Sequence, residues 1–110
     1  MSTPLPLANG VFQLQPRGEG RFAAQGPLTF ATARQAWTLG LQCVAGAGGH
    51  ALEIDCGAVS SSDSAGLAVL LDWLAAAHRA GHGLRYTRLP PDLVALGRIS
   101  EVEVLLERGV

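Results

Sequence analysis

The chain has 110 residues, of which 48% are hydrophobic and 15% charged, and its formal net charge is -1. This length suits one domain with a single hydrophobic core, and the near-neutral charge argues against a protein that binds nucleic acid. No apolar run reaches the roughly 20 residues of a membrane-spanning helix, and the start of the chain lacks a basic region followed by an apolar one, so we expect a cytoplasmic protein without direct membrane insertion.

The first part of the chain predicts a lead segment, a hairpin and a helix. Residues 1–9 contain two prolines and no hydrophobic period, and we expect a flexible lead there. Two short β-prone runs, 11–15 and 21–26, flank a Gly-rich turn and predict a hairpin. Thr29 is predicted to cap a helix that runs to about Val44 with a broad apolar face, which includes Trp37.

A buried strand is predicted next. Leu52, Ile54 and Cys56 alternate as in a strand with one face on the core. The Gly/Ser run that follows is expected to end this strand and turn the chain.

A helix is predicted from Ser64 to about Ala80. Ser61, Ser62 and Asp63 can each cap it by accepting a hydrogen bond from a free backbone N–H. Ser64 then lies in the first turn, at the positive end of the helix dipole, where a hydroxyl is well placed to meet an acidic group or to carry a phosphate. The alternative is that these serines only cap the helix.

This helix has a core face and an unusual outer face. Five apolar residues form the predicted core stripe: Leu67, Leu70, Leu71, Leu74 and Ala77. On the opposite side we place Ala65, Val69 and Ala76, with Ala68 and Asp72 beside them and Trp73 on the flank. An isolated domain usually carries charges there, so this side predicts a docking surface for another protein. The alternative is an exposed Ala-rich helix selected for its helix propensity.

The last part of the chain predicts a strand, a helix and one further element. Residues 83–88 are typical of a short strand and residues 92–99 of a helix. The alternation of Val102, Val104 and Leu106 favours a final strand, and a last helix stays open. Strands that alternate with helices predict an α/β fold with a mixed sheet.

A paired motif in the middle of the chain resembles the STAS family. The segment Asp55-Cys56-Gly57-Ala58-Val59 is similar to the family's Asp-Leu-Ser-x-Val, and Asp63-Ser64-Ala65-Gly66-Leu67 is similar to its Asp-Ser/Thr-Ser/Ala-Gly-Leu. Gly57 and Ser62 depart from this pattern. The resemblance implies a STAS domain over residues 10–110, with a mixed four- to five-stranded sheet and helices packed mainly on one face.

The resemblance also implies a function. In phosphorylation-switched antagonists of this family the modified serine directly precedes the glycine, and this chain has Ala65 there. In the MlaB-like subunits of the Mla phospholipid transporter the hydroxyl lies one place earlier, where this chain has Ser64. The resemblance therefore implies a non-catalytic subunit that binds the transporter's ATPase and is peripheral to the inner membrane through that complex. The partner-binding residues expected from this motif and from the outer face of the helix are Asp63, Ser64, Ala65, Gly66, Val69 and Trp73.

Two other functions stay open. An anti-sigma factor antagonist-like module would bind an anti-sigma factor or a serine kinase, and phosphorylation would then fall on Ser64 or Ser62. A small-ligand binder would hold a lipid or nucleotide at the helix terminus.

Catalysis, metal binding and cofactors are not predicted. The sequence has no Walker-type phosphate loop and no Gly-x-Ser-x-Gly elbow. His78 and His82 favour a cationic helix end over a metal pair, since a third ligand is not found. Cys43 and Cys56 are expected to be reduced thiols.

Overall fold

The computed structural model describes residues 10–110, which form four strands and four helices. The predicted lead over residues 1–9 lies outside the described residues. The strands are β1 (Gln13–Gly18), β2 (Arg21–Leu28), β3 (Leu52–Ser62) and β4 (Leu84–Thr87). The helices are α1 (Ala33–Ala45), α2 (Ser64–Ala80), α3 (Pro91–Ile99) and α4 (Glu103–Arg108).

The four strands form one mixed sheet in the order β1-β2-β3-β4. β1 and β2 make the predicted antiparallel hairpin, while β2, β3 and β4 run parallel to one another. α1 connects β2 to β3 and α2 connects β3 to β4, as parallel neighbours require a crossover connection. The prediction of an α/β fold with a mixed sheet is confirmed.

The two faces of the sheet differ in chemistry. The inward residues of β3 are those predicted from the alternation: Leu52, Ile54 and Cys56. They belong to one core cluster with buried residues of α1 and α2. On the other face, Glu53 pairs in register with Arg21 of β2 and Arg85 of β4, and its Oε1 lies 3.6 Å from Nη2 of Arg85. The helices therefore cover mainly one face, and the opposite face is polar.

β3 is longer than the sequence suggests, and the prediction that the Gly/Ser run ends it is wrong. The strand continues to Ser62, which pairs with Leu28 of β2. The pairing shifts register twice, between Ala23 and Gln25 and between Gly26 and Pro27 of β2, and each time β3 has the extra residue. Bulges of this kind bend a strand while its pairing continues, so β2 and β3 stay together up to the start of α2.

α1 begins later than predicted, at Ala33, and Thr29 is not its cap. Thr32 occupies the N-cap position, and its Oγ1 accepts a hydrogen bond from the backbone N–H of Thr29 at 3.0 Å. The same hydroxyl donates to the carbonyl of Pro27 at 2.8 Å. These bonds hold residues 29–32 in a turn, which displaces the start of the helix.

The favoured prediction of a final strand is wrong, because residues 103–108 form α4. Leu106 is fully buried, and it packs so closely on Gly97 of α3 that a Cβ on that glycine would collide with it. Val104 is exposed, so the alternating residues do not share one face. Backbone hydrogen bonds between Val110 and Leu84 instead occupy part of the free edge of β4.

Both cysteines are free thiols. Cys56 is buried, and burial raises the pKa of its thiol to about 12, so it stays protonated. Within residues 10–110, none of the helices has the length and apolar character needed to cross a membrane.

Candidate functional site

The carboxylate of Asp63 organises the turn between β3 and α2. Its Oδ1 accepts hydrogen bonds from the backbone N–H groups of Ala65 at 2.9 Å and Gly66 at 3.1 Å. Its Oδ2 accepts from the backbone N–H of Phe30, which precedes α1, at 3.0 Å. Of the three predicted cap residues, Ser61, Ser62 and Asp63, it is therefore Asp63 that caps α2. Its carboxylate also links the turn before α1 to the start of α2.

These hydrogen bonds favour the ionised carboxylate. The bond from Phe30 contributes most to lowering the pKa of Asp63, and those from Gly66 and Ala65 add to it. Asp63 is therefore charged at neutral pH, which also suits its position at the positive end of the α2 dipole.

Gly66 lets α2 approach the sheet closely. A Cβ on this residue would overlap the carbonyl oxygen of Leu28, the last residue of β2. Leu67, the next residue, is buried in the core. The Gly-Leu pair of the motif thus places the first turn of α2 on the sheet, with Gly66 itself buried.

Ser64 is exposed at the start of α2. Its hydroxyl makes no hydrogen bond within residues 10–110, so it is available to another molecule. Ala65 follows it and is half-buried, and its side chain has no hydroxyl that could carry a phosphate. The N-cap of α2 is Asp63 and none of the serines. The alternative that these serines only cap the helix is therefore wrong.

The expectation that Val69 and Trp73 face outward is wrong. Val69 is 5% exposed and Trp73 is 0% exposed. The indole of Trp73 packs on Gly40 of α1, where no side chain intervenes, and its ring centroid lies 6.1 Å from that of Phe12. Trp73 cannot contact a partner without leaving the core.

A groove runs between the outer sides of α1 and α2, with a volume of about 670 Å³. We call it the α1–α2 groove, and it is lined by Phe30, Ala33, Arg34, Trp37, Thr38, Ala65, Ala68, Val69 and Asp72. Phe30 is 83% exposed and Trp37 is 43% exposed. The exposed aromatic surface beside Ser64 therefore comes from α1 and the turn before it, and not from α2.

Sequence reasoning missed both of these aromatic residues. Trp37 fits the apolar period of α1 and was assigned to its inward face. Phe30 belongs to no period, and the one signal in the sequence that could have identified it is a large aromatic residue between a strand and a helix.

A polar cluster lies on the opposite face of the sheet, around Asp55. Nε and Nη2 of Arg88 donate to the two carboxylate oxygens at 2.9 and 2.7 Å, and the backbone N–H of Gly57 donates to Oδ1 at 2.8 Å. The hydrogen bond from Arg88 contributes most to lowering the pKa of Asp55, followed by the one from Gly57. The guanidinium also fills the space that a Cβ at Gly57 would take, so a larger residue there would displace Arg88.

Comparison with known proteins agrees with this architecture. Residues 12–107 match the family described as "Mlab, STAS domain". No curated protein matches the chain. The anti-sigma factor antagonist SpoIIAA in its unphosphorylated form is similar in structure, with a TM-score of 0.61 and 15% identity over 80% of this chain and 82% of that one.

The murine Slc26a9 anion transporter in its inward-facing state also has a similar region. The TM-score is 0.56 and the identity 20%, over 93% of this chain and 19% of the transporter chain. At these identities, both likenesses show a shared fold.

Proposed function

The chain belongs to the MlaB-type STAS domain family, and from that premise we propose that it binds and stabilises the ATPase of an ABC-type phospholipid transporter that maintains outer-membrane lipid asymmetry. STAS domains are generally non-catalytic binding modules, and this chain acts as a subunit without catalysis of its own. It reaches the permease only through the ATPase, on the cytoplasmic side of the inner membrane.

The observation that carries the proposal is an exposed, unbonded hydroxyl beside an apolar groove. Ser64 projects from the first turn of α2, and Ala65 leads from it into the α1–α2 groove. Phe30 and Trp37 add aromatic surface at the same place. Interfaces commonly combine aromatic residues that exclude water with a few polar groups that set orientation, and this surface offers both.

Co-purification of the tagged protein with the ATPase tests the proposal. Ser64→Glu introduces a charge at the helix N-terminus, where it does not destabilise α2, and Ala68→Arg places a long cation in the groove. We expect both variants to fold and to lose the ATPase. Val69→Arg is unsuitable, because a cation at this buried position would unfold the domain.

Ala95→Arg is the matched control, since Ala95 is exposed on α3 and does not line the groove. It should retain the ATPase. If both Ser64→Glu and Ala68→Arg fully retain the ATPase, the proposed binding surface is wrong. If the wild-type protein is captured without any ABC ATPase, the proposed function is wrong.

A signalling role is the second candidate, because the exposed Ser64 hydroxyl is accessible to a kinase. Ser62 is half-buried at the end of β3 and is the poorer acceptor. Incubation with a serine kinase recovered with the chain, followed by mass spectrometry, separates the two functions. Phosphate on Ser64 together with capture of an anti-sigma factor would favour signalling over transport.

A further inference from the structure

We propose that the open face of the sheet, opposite the helices, binds the phosphate group of a small ligand through Arg17, Arg21 and Arg88. This site is separate from the surface around Ser64, so the inference does not rest on the proposed function. It follows from the way in which the fold gathers and orients arginine side chains.

Positive charge is concentrated on this face. The chain has eight Lys and Arg residues, and all of them are arginines. Four lie here: Arg17, Arg21, Arg85 and Arg88. The carboxylates that line the same face are Glu53 and Asp55, which leaves a formal charge of +2 on it. Since the whole chain has a formal charge of -1, its other residues together carry -3.

Two adjoining depressions in this face share Arg17 and Asp55. The larger has a volume of about 330 Å³ and is lined by Arg17, Ala23, Asp55, Ala58 and Arg88. The smaller has a volume of about 160 Å³ and is lined by Arg17, Arg21, Phe22, Glu53, Asp55 and Thr87. Arg17 therefore lies between the two, where a bound anion meets guanidinium groups from both sides.

Arg17 and Arg21 have no acidic partner. Both are exposed, and within residues 10–110 neither belongs to an ion pair. Arg17 is the extra residue of a bulge in the β1–β2 pairing, between Pro16 and Gly18. The guanidinium of Arg21 lies beside Gly18, 3.7 Å from the place of an added Cβ. Bulges redirect side chains and are frequent next to functional sites, and two cations at one bulge favour a nearby anion.

Arg88 is held in an unusual backbone conformation. Its φ is 52°, in the left-handed region that residues other than glycine rarely adopt. In this conformation its guanidinium lies over Gly57 and donates to Asp55 through Nε and Nη2, while Nη1 makes no hydrogen bond within residues 10–110. An exposed ion pair stabilises a fold only slightly. Such backbone strain is typical of functional sites, and here it presents Nη1 to the larger depression.

The charge and the donors of this face fit a phosphate group. A phosphate monoester has a charge of about -1.5 to -2 at pH 7, which offsets the formal +2 of the face. Arginine binds phosphate oxygens through two parallel N–H···O bonds. A carboxylate fits less well, because its charge is smaller and Asp55 already fills that role at Arg88. The small volume suits a compact group and not a protein segment.

Titration of the purified 110-residue chain with glycerol 3-phosphate, followed by NMR, tests the site. We expect the Nε–H signals of Arg17, Arg21 and Arg88 to shift and to saturate. Sodium chloride at equal ionic strength is the control and should not reproduce these shifts. Shifts that do not saturate, or that follow ionic strength alone, would overturn the proposal.

Charge variants supply the second readout. Arg17→Gln and Arg21→Gln should each weaken binding of glycerol 3-phosphate about tenfold or more, because each removes charge-assisted hydrogen bonds. Arg34→Gln and Arg79→Gln are the matched controls, since both arginines are exposed and line neither depression. Glu53→Gln should strengthen binding, because it removes a carboxylate that repels the phosphate. Equal effects of the four arginine variants, or weaker binding by Glu53→Gln, would contradict the inference.

Vesicles that contain phosphatidic acid distinguish the two sources of such a phosphate group. Binding of glycerol 3-phosphate in solution would identify a soluble ester as the ligand class, and sedimentation with vesicles alone would identify a lipid headgroup. Arg17→Gln should remove whichever binding is observed, and absence of both would overturn the proposal. Ser64→Glu should leave this binding unchanged. If it removes the binding instead, the phosphate lies at the start of α2 and the inference is wrong, whereas the proposed function is tested by the ATPase alone.

Discussion

Trp73 of α2 lies directly on Gly40 of α1, so closely that a Cβ on Gly40 would overlap the indole ring. Trp73 Nε1 also donates to the carbonyl of Trp37 at 3.3 Å. This contact sets the rotation of α2 against α1, and it buries the aromatic residue that the α2 sequence pattern places outside. The surface beside Ser64 is consequently formed by Ala68 and Asp72 of α2 together with residues of α1.

Gly40→Ala should destabilise the domain although alanine is the better helix former. Alanine gains about 1 kcal/mol in helix propensity, whereas overpacking a core typically costs about 1–3 kcal/mol. The free energy of unfolding in urea should fall. Gly46→Ala is the control at the end of the same helix, where φ is -87° and an added Cβ meets only ordinary contacts. Equal stability of the two variants would show that Trp73 can move aside at no cost.

Asp63→Asn should remove part of the acid sensitivity of folding. The folded-state pKa of Asp63 is lowered, so its contribution to stability is present above its unfolded pKa, about 3.9, and is lost as the pH falls through the lower folded value. The variant should be less stable at pH 7, and the difference in unfolding free energy should shrink towards pH 3. Asp55 and Glu103 also have lowered pKa values, so both proteins still lose stability in acid.

Urea unfolding between pH 7 and pH 3 measures this difference. Asp72→Asn is the control, because Asp72 is exposed and accepts no hydrogen bond within residues 10–110. A constant gap between Asp63→Asn and the wild type at every pH would mean that the carboxylate charge does not matter.

The Asp55–Arg88 pair should contribute little to stability in spite of its bidentate geometry. Its side chains are 34% and 72% exposed, and water screens exposed ion pairs, so their net contribution is small. A double-mutant cycle with Asp55→Ala and Arg88→Ala should give a small coupling energy that falls as salt is added. In a Gly57→Ser background the coupling should be smaller, since the new Cβ displaces the guanidinium. A coupling that does not respond to salt would argue against a solvent-screened pair.

Phe30→Ser should leave the free energy of unfolding within about 0.5 kcal/mol of the wild-type value, as is usual for an exposed side chain. Trp73→Ala should cost about 3–5 kcal/mol, because it empties a fully buried site. Thermal or urea unfolding of both variants checks the contrast. A large loss of stability for Phe30→Ser would mean that the residue serves the fold and not a partner.

The sequence by itself determined the buried face of β3 and the start of α2, because local patterns decide them. The alternation of Leu52, Ile54 and Cys56 reports one buried strand face, and Asp63 stands where a helix needs an acceptor for its free N–H groups. The position of Ser64 in the first turn of α2 follows from these short-range patterns, and the mixed sheet was predicted from the order of strands and helices along the chain.

The tertiary structure alone decided which side chains of the two long helices are covered. Hydrophobic periodicity defines the faces of a helix, but it does not say which neighbour covers each face. Trp73 is buried because α1 has Gly40 opposite it, and the backbone of Phe30 is held at the turn by Asp63, which is distant in sequence. The extension of β3 and the formation of α4 likewise depend on contacts with β2 and α3, which no local pattern contains.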